Sequence, residues 1–443
     1  MDDWIFLGDN ANVEDFSKDN LFKLAYFEPV TNFYNWNWML EKLCNYDKYD
    51  IDDYIFIHFD IKDFKMINEI YGHAAGDNML RKVCSVLKSC DWIYFACRCD
   101  NDNFAMMAKK MENDAIWSNL DMMFRQMEYL EEDPTYPVYY RCGIAAIEDI
   151  MSYGTTVADL AKMAQSMGMK ANETEINFYT EKMKEEQLRG KMLKKDLDRA
   201  MSEEELLVYY QPKYNPQTNE LVGAEALIRW DYKHEQILPP ADFVPYFESE
   251  GTISRIDRYV LERVCMKLEQ WKSEGKQLVP ISINMSRAQL YSPVLIETVL
   301  GIVNRYDVDR KYIEFELTES MAYYDSKYMI ATMNRIRELG FMLSIDDFGT
   351  GYSSLSLLAN MPLTTLKIDK SFVDDIAYDG NARSKYLVRN ILDITKNFKI
   401  SSVAEGVETE EQRDILKEMG VDYIQGFYYS RPVPEADFEK LLK

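Results

Sequence analysis

The 443-residue chain has only three histidines, seven scattered cysteines and fewer basic than acidic residues. Its formal net charge of −24 gives no basic surface that could track phosphates, so we expect no nucleic-acid polymer as a ligand. No apolar run is long enough to span a bilayer, and the N-terminus has no basic leader. These absences lead us to expect a soluble, unexported, cytoplasmic protein without a membrane span.

The cysteines show no disulfide spacing, so we expect reduced thiols. Cys97 and Cys99 lie in a predicted strand, where we expect them to point to opposite faces and not to share a metal ion. His58, His73 and His234 fall outside the ring of strand ends described below, so we expect no Ser–His–Asp grouping there. The chemistry of this chain must therefore come from carboxylates, amides and lysines.

In the second half of the chain, eight short apolar runs end on polar or charged residues, and most are separated by amphipathic stretches of helical length. This alternation predicts a barrel of βα units, in which the carboxyl ends of the strands collect the functional side chains. The runs are Leu207–Gln211, Leu221–Glu225, Val279–Asn284, Ile313–Glu316, Met342–Asp346, Thr364–Lys367, Ile400–Glu405 and Tyr423–Gln425. The terminal groups are carboxylates, amides and one lysine, a mixture that suits hard cations and phosphate.

The adjacent carboxylates Asp346 and Asp347 are the most specific feature of this set, because they follow an apolar strand and precede a glycine-rich turn. Two neighbouring carboxylates repel each other, and burial adds to the cost of their charge. A bound divalent cation removes that cost, so the pair predicts a metal site. Lys367 ends another apolar strand and, if it points into the barrel, needs a carboxylate or phosphate partner.

The remaining polar strand ends are ambiguous when each is considered alone. Glu225 could form an ordinary ion pair with Arg229, which follows it in the same segment. Asn284 could cap the next helix, although Ser286 would serve equally well. Glu316 and Glu319 could also be helix caps. Their common position at barrel strand ends favours a shared site.

Several of these residues belong to longer motifs that resemble the EAL domain, the phosphodiesterase that hydrolyses cyclic di-GMP. The motifs are Glu225-Ala226-Leu227, the DDFGTGYSS of Asp346–Ser354, the LKID of Leu366–Asp369 and the AEGVE of Ala404–Glu408. The resemblance covers roughly residues 188–443 and implies a TIM-like (β/α)8 barrel whose first strand is antiparallel to the others. It also implies hydrolysis of cyclic di-GMP to linear pGpG by a two-metal in-line mechanism.

The resemblance to the EAL domain also implies a role for each matching residue. Glu225, Asn284, Glu316 and Asp346 resemble the ligands of one Mg²⁺ or Mn²⁺ ion, and Asp346, Asp347 and Glu405 resemble the ligands of a second. Lys367 resembles the lysine that holds the attacking water, and Glu319 the acid that orders the loop after Asp347. Leu227 and Arg229 resemble residues that contact the substrate, Arg229 at a phosphate oxygen, and Gln425 lines the same site.

The first half of the chain has a mixed α/β pattern. It predicts strands at Tyr54–Asp60 and Val138–Ile147, a mostly helical segment at Asn68–Leu87, and a hairpin of Trp92–Cys99 with Phe104–Ala108. From about Leu24 to Thr180 this half resembles the GGDEF domain, the nucleotide-cyclase-like module that makes cyclic di-GMP.

The segment at the GGDEF signature position reads Asp-Asn-Asp-Asn-Phe from Asp100 to Phe104, so both glycines and the glutamate are missing. Glycine allows phosphate to approach the backbone closely, whereas Asp100 adds bulk and a negative charge. We therefore expect no cyclase activity. Asn68 and Asp77 still match the guanine-recognising positions, and Asp60 and Asp102 match the metal-binding acids. A GTP-binding regulatory domain and a dimerisation scaffold both remain open.

The sequence predicts a short extension at residues 1–22, a degenerate GGDEF domain at 23–180, an exposed linker helix at 181–200 and the EAL domain at 188–443. By analogy with other EAL barrels we expect a homodimer, which light scattering at tens of micromolar protein would detect as twice the 52.1 kDa chain mass. The main alternative function is a non-catalytic cyclic di-GMP receptor that acts through a protein partner. A pure receptor has no need for the complete metal set.

If Asn68 and Asp77 retain guanine recognition, GTP is expected to bind without conversion to cyclic di-GMP. Calorimetric titration of the purified chain with GTP and Mg²⁺ checks the binding step. Absence of heat at millimolar GTP would leave the N-terminal half as a scaffold. Because a ligand shifts a conformational equilibrium only through differential affinity for its states, regulation requires a separate comparison of phosphodiesterase rates with and without GTP.

Overall fold

The computed structural model describes residues 18–44, 54–146, 157–167, 173–318, 321, 326–349, 355–374, 376–377 and 382–443. The chain divides into two compact units, Met1–Leu188 and Arg189–Lys443. Within the described ranges, no helix is both long and apolar enough to cross a membrane.

The N-terminal unit is built on a five-stranded sheet with the strand order β2-β3-β1-β4-β5. Among the described strands of this sheet, only β4 and β5 pair in parallel, and the other neighbours are antiparallel. Its strands are β1 Tyr54–Ile61, β2 Ile93–Asp100, β3 Asn103–Lys109, β4 Tyr140–Ala146 and β5 Glu175–Phe178; its helices are α1 Lys18–Tyr26, α2 Trp36–Cys44, α3 Phe64–Tyr71, α4 His73–Ser89, α5 Asn113–Arg125 and α6 Val157–Ser166.

These elements confirm the predicted hairpin and both predicted strands, although Ile147 lies outside the described residues. The predicted helical segment is divided at Gly72, whose φ of 85° separates α3 from α4. Strand β1 is buried along almost its whole length, because apolar clusters cover both faces of the sheet. A strand covered on both faces has a continuous apolar sequence and no polar alternation.

The expectation that Cys97 and Cys99 point to opposite faces is wrong. Side chains alternate along a strand with a period of two residues, so residues i and i+2 share a face. Their Sγ atoms accordingly lie 3.9 Å apart.

The C-terminal unit contains a closed barrel of eight strands in the order β6-β14-β13-β12-β11-β10-β9-β7, with β7 also pairing with β6. The ten strands of the sheet are β6 Leu206–Tyr214, β7 Leu221–Tyr232, β8 Gln236–Leu238, β9 Ile281–Asn284, β10 Ile313–Thr318, β11 Met342–Phe348, β12 Thr365–Ile368, β13 Ser401–Ala404, β14 Tyr423–Gln425 and β15 Val433–Pro434. Strand β6 is antiparallel to β7 and β14, while the other barrel neighbours are parallel. All eight predicted runs form barrel strands, and the antiparallel first strand is confirmed.

Helices follow most of the parallel strands and cover the barrel. They are α8 Val244–Ser249, α9 Ser254–Ser273, α10 Arg287–Leu290, α11 Leu295–Val303, α12 Ser326–Glu338, α13 Leu355–Asn360, α14 Lys370–Asp374, α15 Ala382–Phe398, α16 Glu410–Met419 and α17 Glu435–Phe438, with 3-10 turns at Pro240–Asp242, Arg310–Tyr312 and Glu439–Leu441. Apolar side chains of strands and helices form one continuous core in this unit.

Strand β7 is longer than the predicted run, so Glu225 lies in the middle of a strand and not at its end. Its parallel pairing with β9 nevertheless stops at Ala226, and the remaining residues pair with β6 and β8 in a separate extension. Glu225 therefore still lies at the carboxyl end of the parallel part of the barrel, where the functional site was predicted.

The predicted linker segment forms helix α7, Glu181–Ser202, but the expectation of an exposed helix is wrong for one face. Leu193, Leu197 and Ala200 are buried in the barrel core. Gly190 lies on the same face, where an added Cβ would come within 2.2 Å of the Tyr246 ring. A glycine in mid-helix normally destabilises it by about 1 kcal/mol relative to alanine, and here the close approach of the ring requires it.

Candidate active site

The ammonium group of Lys367 lies at the centre of the carboxyl end of the barrel. Strand β12 places it inside the ring of strands, where 1% of the residue is exposed. Its Nζ atom lies 2.6 Å from Glu405, 3.0 Å from Glu316, 3.1 Å from Asp346 and 3.4 Å from Glu225. Four strands thus direct carboxylates at one lysine. Lys367 was predicted to need a carboxylate or phosphate partner, and the structure supplies carboxylates.

Glu225 is bound on both carboxylate oxygens by amide side chains. Asn284 Nδ2 donates to Oε1 at 3.0 Å, and Gln425 Nε2 donates to Oε2 at 2.6 Å. The capping role considered for Asn284 belongs to Ser286, whose hydroxyl accepts from the backbone N–H of Gln289. Asn284 is therefore free to face the site. Glu225 forms no ion pair with Arg229, so that simpler alternative is wrong within the described structure.

A second group of acids lies beside Lys367, where carboxylate oxygens of Asp346, Asp347 and Glu405 are all within 4.8 Å of one another. Strand β11 changes register against β12 between Ile345 and Phe348. Asp347 has a φ of 56°, and its backbone N–H donates to Asp346 Oδ1 at 2.9 Å. This local irregularity brings two adjacent carboxylates to the same site, although consecutive side chains in a regular strand point to opposite faces.

The pKa values within the cluster reflect competition between burial and charge. Burial and then Glu316 raise the pKa of Glu225, and burial raises the pKa of Glu405 to about 8 despite Lys367. Partial desolvation and the neighbouring Asp346 raise the pKa of Asp347 to about 6. Carboxylates outnumber lysines here, and the raised pKa values reflect the cost of ionising all of these acids together. An added cation would relieve this imbalance.

A second buried lysine, Lys213 on β6, was assigned no role from the sequence. Its Nζ atom donates to Glu316 Oε1 at 3.0 Å and Ser282 Oγ at 2.7 Å, and lies 3.6 Å from Glu314 Oε2. Although burial opposes ionisation, Lys213 and Lys367 lower the pKa of Glu316 to about 2. The sequence does contain a signal for this role of Lys213. It lies two residues after Gln211 in the same strand, so both side chains are on one face.

The acidic cluster opens into a cavity of about 310 Å³. Leu227 and Gln425 line this cavity, together with Gln211 and Phe427. Arg229 is not among its lining residues: its guanidinium lies 5.5 Å from the centre of the Tyr209 ring and donates to the backbone carbonyl of Ile228.

The sequence-predicted site residues are thus mostly brought together. Those that meet around Lys367 and the cavity are Glu225, Leu227, Asn284, Glu316, Asp346, Asp347, Glu405 and Gln425. Arg229 lies further along β7, and Glu319 lies outside the described residues.

In the N-terminal unit, the acid Asp60 at the end of β1 is already paired. Arg141 donates from Nε to Asp60 Oδ1 at 3.0 Å and from a second nitrogen to Oδ2. Burial and then Asp60 raise the pKa of Asp102 to about 6. Asp100 is exposed, and its Oδ1 accepts from Asn103 Nδ2 at 2.8 Å. The guanidinium of Arg141 is therefore already paired with Asp60, one of the two acids that match metal-binding positions.

The residues considered for guanine recognition lie on neighbouring helices of the same unit. Asn68 on α3 packs against Gly76 on α4, where an added Cβ would be 2.1 Å from Asn68 Oδ1. Asp77 lies 3.7 Å from Arg81 one helical turn further along α4. Both residues are partly exposed, so the helix pair leaves them accessible.

Comparison with known protein families gives matches in both units. The EAL domain profile matches residues 194–432, and the profile of the diguanylate cyclase GGDEF domain matches residues 25–177. The cyclic di-GMP phosphodiesterase PdeR of Escherichia coli (strain K12) is 28% identical over 390 residues, which cover 87% of this chain and 58% of PdeR. The chain spans just over half the length of such curated relatives.

Two solved structures extend the comparison to the fold. The PaMucR phosphodiesterase in complex with c-di-GMP is 33% identical, with a TM-score of 0.53 over 56% of this chain and 99% of that chain. The S helix-GGDEF-EAL structure of Vibrio cholerae LapD, bound to c-di-GMP, is 20% identical, with a TM-score of 0.66 over 92% of this chain and 97% of that chain. Since the EAL profile alone covers more than half of the residues, the chain belongs to the EAL domain family, with a GGDEF domain preceding its barrel.

Proposed function

We propose that this chain is a metal-dependent phosphodiesterase that hydrolyses cyclic di-GMP to linear pGpG. The observation that carries the proposal is the convergence of Glu225, Glu316, Asp346 and Glu405 on Lys367, beside the Asp346–Asp347–Glu405 cluster. Relatives named as cyclic di-GMP phosphodiesterases, and a phosphodiesterase solved with c-di-GMP, support the choice of substrate. A non-catalytic receptor could bind the same ligand but has no use for so many unneutralised acids.

The donor set fits two Mg²⁺ or Mn²⁺ ions. Glu225, Asn284, Glu316 and Asp346 would hold one ion, and Asp346, Asp347 and Glu405 would hold the other, with carboxylate and amide oxygens that both metals prefer. The closeness of the Asp346, Asp347 and Glu405 oxygens supports this assignment. When bound, the two cations would activate the attacking water and neutralise the charge that develops on the phosphate.

The remaining side chains orient the reacting groups. Lys367 supplies a fixed positive charge at the site of attack, since its ammonium is buried and surrounded by acids. Leu227 and Gln425 would contact the substrate from the cavity wall. Arg229, which does not line the cavity, keeps its proposed role at a phosphate oxygen. Glu319 keeps its proposed role in ordering the loop after Asp347.

The GGDEF domain is proposed to be regulatory or a dimerisation scaffold and not a cyclase. Asp60 is held by Arg141, and Asp100 places a carboxylate at the end of β2. Both features oppose the binding of a triphosphate with its metal ion, although Asn68 and Asp77 stay accessible for guanine. A homodimer of the chain is part of the same proposal.

Asp346→Asn and Asp347→Asn are each expected to reduce hydrolysis of cyclic di-GMP by roughly a hundredfold or more at saturating Mg²⁺ or Mn²⁺. Each change removes one negative charge from the ligand set while keeping the size of the side chain. Product formation is measured chromatographically beside unfolding curves. Glu262→Gln, which removes a carboxylate that pairs with Arg305 on the barrel exterior, is the matched control. Near wild-type rates in both aspartate variants would refute the two-ion assignment.

Lys213→Met is expected to weaken metal binding and to destabilise the fold by about 3–5 kcal/mol, because it leaves Glu314 and Glu316 buried without their shared cation. Lys213→Met with Glu314→Gln removes the charge imbalance and is expected to recover most of the stability. Its affinity for Mn²⁺ should stay roughly tenfold or more below wild type, since Glu316 still lacks its orienting partner.

Calorimetric titration with Mn²⁺ and chemical unfolding separate these two effects of Lys213. Glu314→Gln alone keeps the contact between Lys213 and Glu316 and serves as the control. Wild-type Mn²⁺ affinity in the double variant would show that Lys213 only balances charge and does not position Glu316.

A further inference from the structure

Two thiols and an imidazole lie together in the GGDEF domain, near the strand ends that carry Asp60 and Asp100. Cys97 and Cys99 are on the edge strand β2, and their sulfur atoms are 3.9 Å apart. The pairing between β2 and β3 changes register between Arg98 and Asp100, so Cys99 occupies a bulge. Bulges redirect side chains, and this one occurs where the two thiols meet.

His58 joins the cluster from the central strand β1. Cys97 on β2 and His58 on β1 are both paired with Ala105 on β3, which places them on one face of the sheet. His58 Nδ1 lies 2.6 Å from the carbonyl oxygen of Gln165 on α6.

The two cysteines differ in their readiness to ionise. A hydrogen bond with Cys97 lowers the pKa of Cys99 to about 6. A hydrogen bond with His58 acts in the same direction, and burial opposes both. Burial raises the pKa of Cys97 well above its usual range. Cys99 is partly exposed and Cys97 is fully buried. The more exposed sulfur is therefore the more readily ionised of the two, and its buried neighbour is the weaker acid.

We propose that Cys99 is a peroxide-reactive thiolate and that Cys97 resolves its oxidised form into a Cys97–Cys99 disulfide. The Cys99 sulfur attacks one oxygen of a hydroperoxide, the O–O bond breaks, and the leaving oxygen takes a proton to become water or an alcohol. The Cys97 sulfur then attacks the resulting sulfenic acid, whose hydroxyl leaves with the Cys97 proton as water. Two thiols are oxidised by two electrons, and one hydroperoxide is reduced.

The bond depends on the bulge at Cys99. In a regular strand the Cβ atoms of residues i and i+2 stay about 6.6 Å apart, beyond the roughly 3.5–4.5 Å of a disulfide, so the strand must bend further at the bulge for the bond to form. The two sulfurs start 3.9 Å apart and must approach to about 2.05 Å.

Cys90 provides an internal reference for reactivity. It is partly exposed like Cys99, but burial raises its pKa, so it is mostly a thiol at neutral pH. Cys84, Cys142 and Cys265 are buried and also have raised pKa values. Since the thiolate is the nucleophile, Cys99 is expected to react about tenfold or more faster than Cys90.

The test uses the full chain treated with hydrogen peroxide at pH 7, then alkylated, digested with trypsin without reduction and examined by mass spectrometry. Trypsin cleaves after Arg98, between the two cysteines, so a Cys97–Cys99 disulfide joins fragments 89–98 and 99–109. The joined fragments are expected in the wild type and in Cys90→Ser. Cys97→Ser should give no joined fragments and should accumulate a dimedone-reactive sulfenic acid at Cys99.

The isosteric Cys99→Ser variant should lose both products while keeping the wild-type unfolding midpoint. The proposal is overturned if Cys99 is oxidised no faster than Cys90. It is equally overturned if Cys97→Ser still joins the two fragments at the wild-type level, since the partner of Cys99 would then be Cys90. Both outcomes can be observed whether or not the barrel hydrolyses cyclic di-GMP.

Discussion

The structure of the candidate active site depends on one buried ammonium group. Lys367 is almost completely enclosed, and a buried charge costs several kcal/mol unless charged and hydrogen-bonding partners compensate it. Compensation comes from Glu225, Glu316, Asp346 and Glu405, which four different strands deliver to the same point. The barrel is what allows this, because its parallel strands end together and their last side chains converge. The acids in turn exceed the available lysines, which creates a site that attracts cations.

The buried carboxylates have different partners in the two domains. In the barrel, the amides of Asn284 and Gln425 hold Glu225 in place, and the excess of acids remains available to metal ions. In the GGDEF domain, Arg141 neutralises Asp60 through two hydrogen bonds. A guanidinium holds a carboxylate in a fixed, paired geometry, so it competes directly with a metal ion. The physical difference is thus that Asp60 has a guanidinium of its own, whereas four carboxylates of the barrel share the ammonium of Lys367.

Much of this arrangement could be predicted from the sequence, because barrel strands are apolar runs of limited length and their terminal residues are polar. The antiparallel course of β6 and the position of Glu225 within a longer β7 were not visible in the residue pattern, since both depend on which strands pair in space. Lys213 was missed as a site residue because its partners, Ser282, Glu314 and Glu316, are distant in sequence. The relative orientation of Cys97 and Cys99 was predicted wrongly, because residues two apart in a strand point to the same face. The roles of the metal ligands stay predictions.

The most direct test of the central claim is to incubate the purified wild-type chain with cyclic di-GMP and to identify the product by chromatography and mass spectrometry. Mn²⁺ or Mg²⁺ should support conversion to linear pGpG, and EDTA should stop it, because the carboxylate cluster needs its cations to activate water. Stoichiometric binding of cyclic di-GMP without any hydrolysis, at saturating concentrations of either metal, would contradict the account and identify the barrel as a receptor.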